Sequence, residues 1–464
     1  MDTAPAKKTR ARGSKSRSGC KCCKIRHLKC GEERPSCLRC IRSGTRCEYF
    51  FRFATVEATS PVSIKPLLST LPSGKDSRGF DYFRHNTLAG LMGFMHNSEF
   101  WNRTVLQFCE ASPAVLHAVL GLSALHENLL LNGKREGNMP SADLVFLKQY
   151  NKSIKLLQSS HENQAVSSTL ICCIIFICLE NFSGNYDRAL AHLQSGLKIL
   201  ESWRKEELGS VSEIRVRENL TQVFRRLDLQ ATTFMNSRQP LINATTFGDH
   251  LSENDGPSPT AFSNLQEAQE ELDRIAIRLV YVLTLKSAAK ESATRTILLQ
   301  GLAARYSCWK RAFDRFSERE SQRMNTKDLR LSVLLGLHFQ TASLMLEVRV
   351  NPVLHEEDTN AKFTRIINLS RSLIQSEPSL KPSYASEMGV IAPLYFTSMS
   401  ASPHLRQQAI DLLRTIKGKE GPWDPRTTSR IAEEVMIAER INKPGVALSG
   451  GVEFLARAHH IIPC

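Results

Sequence analysis

Six cysteines repeat one spacing: Cys20-x2-Cys23-x6-Cys30 is followed by Cys37-x2-Cys40-x6-Cys47. A structural zinc site takes four thiolate or imidazole ligands in a tetrahedron. Two zinc ions need eight coordination positions, and six thiolates fill them only where two sulfurs bridge both metals. A twofold repeat of three cysteines suits that arrangement, with one bridging sulfur in each half. A single four-cysteine site is the alternative, and it leaves two regularly spaced cysteines unused. Some metal staple is required in either case, because roughly 30 residues cannot build a sufficient hydrophobic core unaided.

A staple alone does not account for the side chains on display. Lys24, Arg26, His27 and Lys29 lie between Cys23 and Cys30, Arg39 and Arg42 lie in the second half, and Arg46 precedes the last cysteine. A short helix across each Cys-x2-Cys would carry such groups into the major groove, where Arg or Lys reads the O6 and N7 acceptors of guanine. Charge points the same way. Residues 1–60 hold fifteen Lys or Arg against five Asp or Glu, so +10 of the formal +15 resides there and the other 404 residues carry +5. That local excess is the footprint of a polyanion partner. For a basic tail without the cysteines, a solvated tail would be the simpler reading.

The segment CKCCKIRHLKCGEERPSCLRCIRSGTRC resembles the fungal binuclear zinc cluster, a module that places a helix in the major groove. The resemblance implies two zinc ions per chain, bridged by Cys20 and Cys37, with Cys23, Cys30, Cys40 and Cys47 each binding one. It implies that Pro35 shapes the turn between the halves. It makes Arg26 and His27 the pair that reads a CGG triplet, while Lys24, Lys29, Arg39 and Arg42 mainly hold phosphates and so position rather than specify. His27 stands where well-known members carry Lys, and Gly31 replaces a frequent Asp. Cys22 has no ligand role in the pattern and is expected to be a free surface thiol.

The rest of the chain must position this module. Residues 1–18 read as a disordered basic arm, 19–50 as the zinc cluster, 51–80 as a Pro- and Ser-containing linker, and 81–464 as an α-helical regulatory domain. The fold class expected is mainly all-α. Ser112-Pro113-Ala114 opens one helix, and apolar residues recur at helical spacing over Leu190–Leu200, Leu220–Phe234, Leu265–Leu285, Leu329–Leu346, Phe363–Ile374 and Ile410–Ile416. A loop is expected near Gly256-Pro257-Ser258-Pro259. The phrases SEFWNRTVLQFC, AVLHAVLGLSALHE, HLQSGLKIL, FRRLDLQA and IAPLYF resemble the fungus-specific regulatory domain that follows such clusters. Composition, at 42% hydrophobic and 23% charged residues, fits a globular protein. MDTAPAKKTRARGSK contains no apolar stretch of a secretory signal, so a reducing intracellular compartment is expected. The apolar run LICCIIFICL reads as a buried helix rather than a membrane segment.

The helical region carries no complete enzyme motif. His-Glu pairs begin at His126, His161 and His355, but Leu130, Ala165 and Thr359 stand where a second zinc-ligating His would be needed. There is no phosphate loop, GxGxxG or GxSxG. Cys172 and Cys173 read as inert core thiols, and His459-His460 as a chance pair. A zinc module for protein contact is the competing non-enzymatic reading, but it does not need the basic excess. The expectation is therefore a nuclear, sequence-specific DNA-binding regulator of genes transcribed by RNA polymerase II. Its partners would be double-stranded DNA and transcription machinery or co-regulators. Lys7–Arg17 would serve nuclear import, phosphate contact or both. Pro61, Pro66 and Pro72 exclude a coiled coil directly after the cluster, leaving monomeric binding or a homodimer through the helical domain.

Overall fold

The structure, a computed structural model, describes residues 21–26, 28–30, 37–43, 45, 75–94, 98–132, 141–159, 165–205, 210–234, 238, 240–241, 259–284, 292–350, 356–376 and 384–441. The chain divides into two compact units, residues 1–67 and 68–464.

In the first unit, α1 (Lys21–Ile25) and α2 (Leu38–Arg42) each start one residue after the first cysteine of a Cys-x2-Cys pair. Helices this short are not stable alone. Cys23, Cys30, Cys37 and Cys40 are their buried partners, gathered in one cluster.

The second unit is helical, as its apolar periods predict. It opens with α3 (Lys75–Tyr82), α4 (Leu88–Met92) and α5 (Val105–Ala111), the last two each entered through a π-helical turn. Next come α6 (Pro113–Asn132), α7 (Ser141–Ser159), α8 (Val166–Ser183), α9 (Tyr186–Arg204) and α10 (Val211–Phe234). The second half holds α11 (Leu265–Thr284), α12 (Ser292–Glu320), α13 (Thr326–Val350), α14 (Glu356–Gln375), α15 (Ile391–Ser400), α16 (Pro403–Thr415) and α17 (Pro425–Ile441). Residues 75–80, expected to be linker, instead form α3. Phe80 is fully buried there, and Gly79 lets α6 come close enough for Ser123 Oγ to donate to the Gly79 carbonyl at 2.7 Å. Of the expected Gly-Pro loop, residues 256–258 lie outside the described residues.

Local chemistry sets many helix ends. Ser112 is extended before Pro113, the first residue of α6. Asn264 Oδ1 accepts the Glu267 N–H at 2.9 Å, and Asn325 Oδ1 accepts those of Lys327 and Asp328 at 2.8 and 3.0 Å. Asp424 Oδ1 accepts the Arg426 and Thr427 N–H groups at 3.0 and 3.2 Å, satisfying donors that a helix start leaves unpaired. Gly184, at φ 83°, ends α8 in the left-handed conformation that Gly adopts without strain.

Helix α8 is the centre of the N-terminal half and packs against α6, α9 and α10. It is longer than its ten-residue apolar run, because the flanking Ser, Glu and Asn residues are also helical. Two helices among the described residues, α8 and α13, are long and apolar enough to cross a membrane, and α8 is mostly buried inside the protein. Its carboxylate at Glu180 accepts from Tyr150 Oη at 2.8 Å and Asn185 Nδ2 at 2.9 Å, which offsets the cost of burial. The second half packs a core of Leu272, Ile275, Trp309, Phe313, Leu334 and Ile366, with Trp309 donating to the Ala268 carbonyl at 2.7 Å.

One connection was absent from the sequence reading. Residues Tyr384–Ala385 (β1) pair in parallel with Lys419–Glu420 (β2), in register Tyr384 to Lys419. The pair delivers the Glu420 carboxylate to the start of α15, where it accepts the N–H groups of Gly389, Val390 and Ile391 at 2.9, 2.9 and 3.0 Å. A Cβ on Gly389 would collide with that carboxylate. Glu420→Ala strips three buried donors of their acceptor and should destabilise the second unit by about 3 kcal/mol. Chemical denaturation of the full chain checks this; a loss below about 1 kcal/mol would show that water replaces the carboxylate.

Candidate metal centre and nucleic-acid interface

The cysteine repeat of the sequence is also a repeat of backbone geometry. Arg26 N–H bonds the Cys22 carbonyl at 3.1 Å, and seventeen residues on, Ser43 N–H bonds that of Arg39 at 3.2 Å. Leu28 N–H bonds the Cys23 carbonyl at 2.9 Å, matched by Thr45 N–H to Cys40 at 3.0 Å. The two halves therefore turn their chains alike and bring equivalent cysteines to a common point.

At that point the Sγ atoms of Cys23, Cys37 and Cys40 all lie within 4.8 Å of one another, and Cys23 and Cys37 are 3.7 Å apart. Thiolates bound about 2.3 Å from a tetrahedral zinc are separated by about 3.8 Å, so this all-sulfur donor set fits zinc. Cys30 is buried in the same cluster. Cys37 also caps α2, its Sγ accepting the Cys40 N–H at 3.4 Å. That bond is the main reason the Cys37 thiol is lowered from 9.0 to about 6, a shift towards the thiolate that binds metal. Cys20 and Cys47 lie outside the described residues. Cys22, expected at the surface, is half-buried beside the cluster.

Around the buried sulfur, Arg26, Lys29, Arg39 and Arg42 are exposed. His27 and the side chain of Lys24 lie outside the described residues. Arg26 Nη1 donates to Ser43 Oγ at 3.0 Å and Thr45 Oγ1 at 3.1 Å, so the two halves meet through this side chain. Neither hydroxyl belongs to the cysteine spacing or the basic pattern of the sequence. Their signal was positional, because Ser43 occupies in the second half the place of Arg26 in the first. Outside both patterns too are Ile25, Leu28, Leu38 and Ile41, all exposed among the basic groups. Apolar side chains so placed can meet thymine methyl groups.

Three described titratable groups of the second unit, His126, Cys172 and Cys173, are buried in its core. His126 Nδ1 lies 3.0 Å from Thr87 Oγ1, and burial pushes its imidazole down to about 4. Cys172 and Cys173 are buried, and desolvation pushes their thiols up to about 12 and 11. An open cleft of about 780 Å³ between α10, α11, α12 and α13 has no His, Cys or Lys in its described lining. His161, His355, His459 and His460 lie outside the described residues.

Residues 18–53 match the family described as the fungal Zn(2)-Cys(6) binuclear cluster domain, and residues 78–435 match the fungal specific transcription factor domain. The chain is similar to the aspercryptin biosynthesis cluster-specific transcription regulator atnN of Emericella nidulans, at 24% identity over 62% of this chain and 50% of the relative. It is 28% identical to the transcription regulator lscL of Purpureocillium lilacinum over 39% of this chain and 48% of that protein. It is 25% identical to the Zn(2)-C6 fungal-type transcription factor afumD of Aspergillus fumigatus over 35% of this chain and 45% of that protein. The chain thus spans about half the length of these curated relatives. No solved structure matches it significantly.

Thiol reactivity should follow this placement. With iodoacetamide on the native full chain, half-buried Cys308 should be alkylated, while Cys109, Cys172, Cys173 and Cys178 stay unmodified until denaturant is added. Peptide mass analysis reads the pattern. Labelling of Cys172 as fast as Cys308 would contradict an inert core.

Proposed function

The chain belongs to the family of fungal specific transcription factors and carries a Zn(2)-Cys(6) cluster domain ahead of its helical domain, and from that premise we propose that its cluster reads CGG-type half-sites in the major groove and regulates genes transcribed by RNA polymerase II in the nucleus. The protein is a transcription regulator rather than an enzyme, as its family and relatives are. The cluster domain implies zinc binding and DNA binding.

The observation that carries the finer reading is the division of labour within one short segment. Its described cysteines turn inward, while Arg26, Lys29, Arg39 and Arg42 face solvent. In our reading two zinc ions are held by Cys20, Cys23, Cys30, Cys37, Cys40 and Cys47, with Cys20 and Cys37 bridging. Arg26 and His27 contact base edges; Lys24, Lys29, Arg39 and Arg42 contact phosphates. Residues 1–18 form the basic arm, 19–50 the DNA-binding domain, the stretch from 51 to α3 the linker, and the helical domain engages the transcription machinery or co-regulators, with the chain binding as a monomer or as a homodimer through that domain. By likeness to the Emericella regulator, genes of a biosynthetic cluster are the target class.

Metal analysis of the full chain should return two zinc ions per chain, and Cys37→Ser should lower both occupancies; a single ion would end the bridged reading. Arg26→Ala should cost roughly 1–3 kcal/mol at a guanine position, and Lys29→Ala should weaken all sequences alike and flatten the salt slope by about one. Competition binding on duplexes selected from a random pool separates the two. Equal weakening of every sequence by Arg26→Ala would remove it from base readout. In the cell, deleting the gene should change transcripts of a contiguous biosynthetic set, and scattered changes across unrelated loci would count against that target class.

A further inference from the structure

The seventeen-residue repeat places Arg26 and Ser43 at equivalent positions, each three residues after the second cysteine of its half. The side chains of these two equivalent positions touch, Arg26 Nη1 donating to Ser43 Oγ at 3.0 Å. Their chemistry differs: the first half supplies a guanidinium and the second a hydroxyl. The contact is not a chance graze. Ser43 Oγ donates to the Cys40 carbonyl at 3.3 Å and lies 2.5 Å from Thr45 Oγ1, while the backbone of both residues is tied to α2. The hydroxyl pair is thus a fixed acceptor site rather than two free rotors.

A guanidinium offers five N–H donors in one plane. The two bonds to Ser43 and Thr45 both leave from Nη1. Nε and Nη2 make no hydrogen bond among the described residues, and they form one straight edge of the fork. That edge matches the O6 and N7 acceptors of guanine, whereas an untethered arginine must give up rotamer freedom to present it. Resting on the reading that Arg26 contacts a base, we propose that Ser43 and Thr45 are positioning residues, holding Nη1 so that the Nε–Nη2 edge faces the DNA.

The competing explanation is a clamp that merely joins the halves. It predicts that removing the hydroxyls weakens the module as a whole, with zinc retention and affinity for every sequence falling together. Positioning predicts a selective loss.

The test uses the zinc-loaded full chain and a duplex that it selects from a randomised pool, compared with the same duplex carrying 7-deazaguanine, which lacks N7. The double variant Ser43→Ala/Thr45→Val should lose about tenfold of this discrimination while keeping its zinc and its binding to unrelated sequence. Ser43→Thr/Thr45→Ser keeps both hydroxyls and should restore discrimination. Adding the double variant to Arg26→Ala should cost nothing further, since both act through one contact. A parallel loss of zinc or of all binding would establish the clamp and overturn positioning. Full discrimination in the double variant, with Arg26→Ala impaired, would overturn positioning while leaving Arg26 as a reader. Full discrimination in Arg26→Ala would overturn both.

Discussion

In the cysteine module the usual sorting of side chains is inverted, with Ile25 67% and Ile41 60% exposed while Cys23, Cys30, Cys37 and Cys40 are buried. Among its described residues the module buries only cysteines, so sulfur coordination must hold it together. Everything else in the module follows from that constraint. Its helices are five residues long because they need only carry sulfurs to a common point. The Cys40 N–H that stabilises negative sulfur at Cys37 is supplied by the turn that places both residues. With the interior given over to thiolates, the remaining side chains are free to serve a surface, and that surface is basic.

The helical unit solves the opposite problem. Apolar stripes hold its helices together, and the difficulty is the polar groups they enclose. Arg226 shows how this is handled: it reaches Asp273 at 3.0 Å and Glu387 at 3.7 Å, linking α10, α11 and the segment after β1. Desolvation pushes both carboxyls up, and the shared guanidinium opposes it. Glu420 does comparable work for backbone donors at the start of α15. Such contacts contribute less net energy than the core does, but each is costly to leave half-made, and so they select one packing among many.

Repetition and asymmetry meet in the cluster. Duplicated spacing brings duplicated backbone bonds, as the paired turns at Arg26 and Ser43 display. A symmetric scaffold would offer two equal faces to a duplex. Arg26 in the first half and Ser43 in the second make the faces unequal, and the two join in a hydrogen bond at 3.0 Å.

The amino-acid sequence alone determined the zinc-cluster class of the module, its basic character, the helical class of the rest and the start of α6. Each of these depends on neighbours a few residues apart: thiolate spacing along a turn, a Pro after an extended Ser, an apolar stripe at helical period. Only tertiary structure decided that residues 75–80 belong to a helix, because the reason is Gly79 lying against α6 at Ser123. It alone decided the pairing of Tyr384 with Lys419 and the cap that Glu420 places on residues thirty positions away. It alone joined Arg26 to Ser43 and Thr45. Helical period and ligand spacing are local properties that a sequence states directly, whereas the partner of a buried polar group is whichever group the packing brings within about 3 Å.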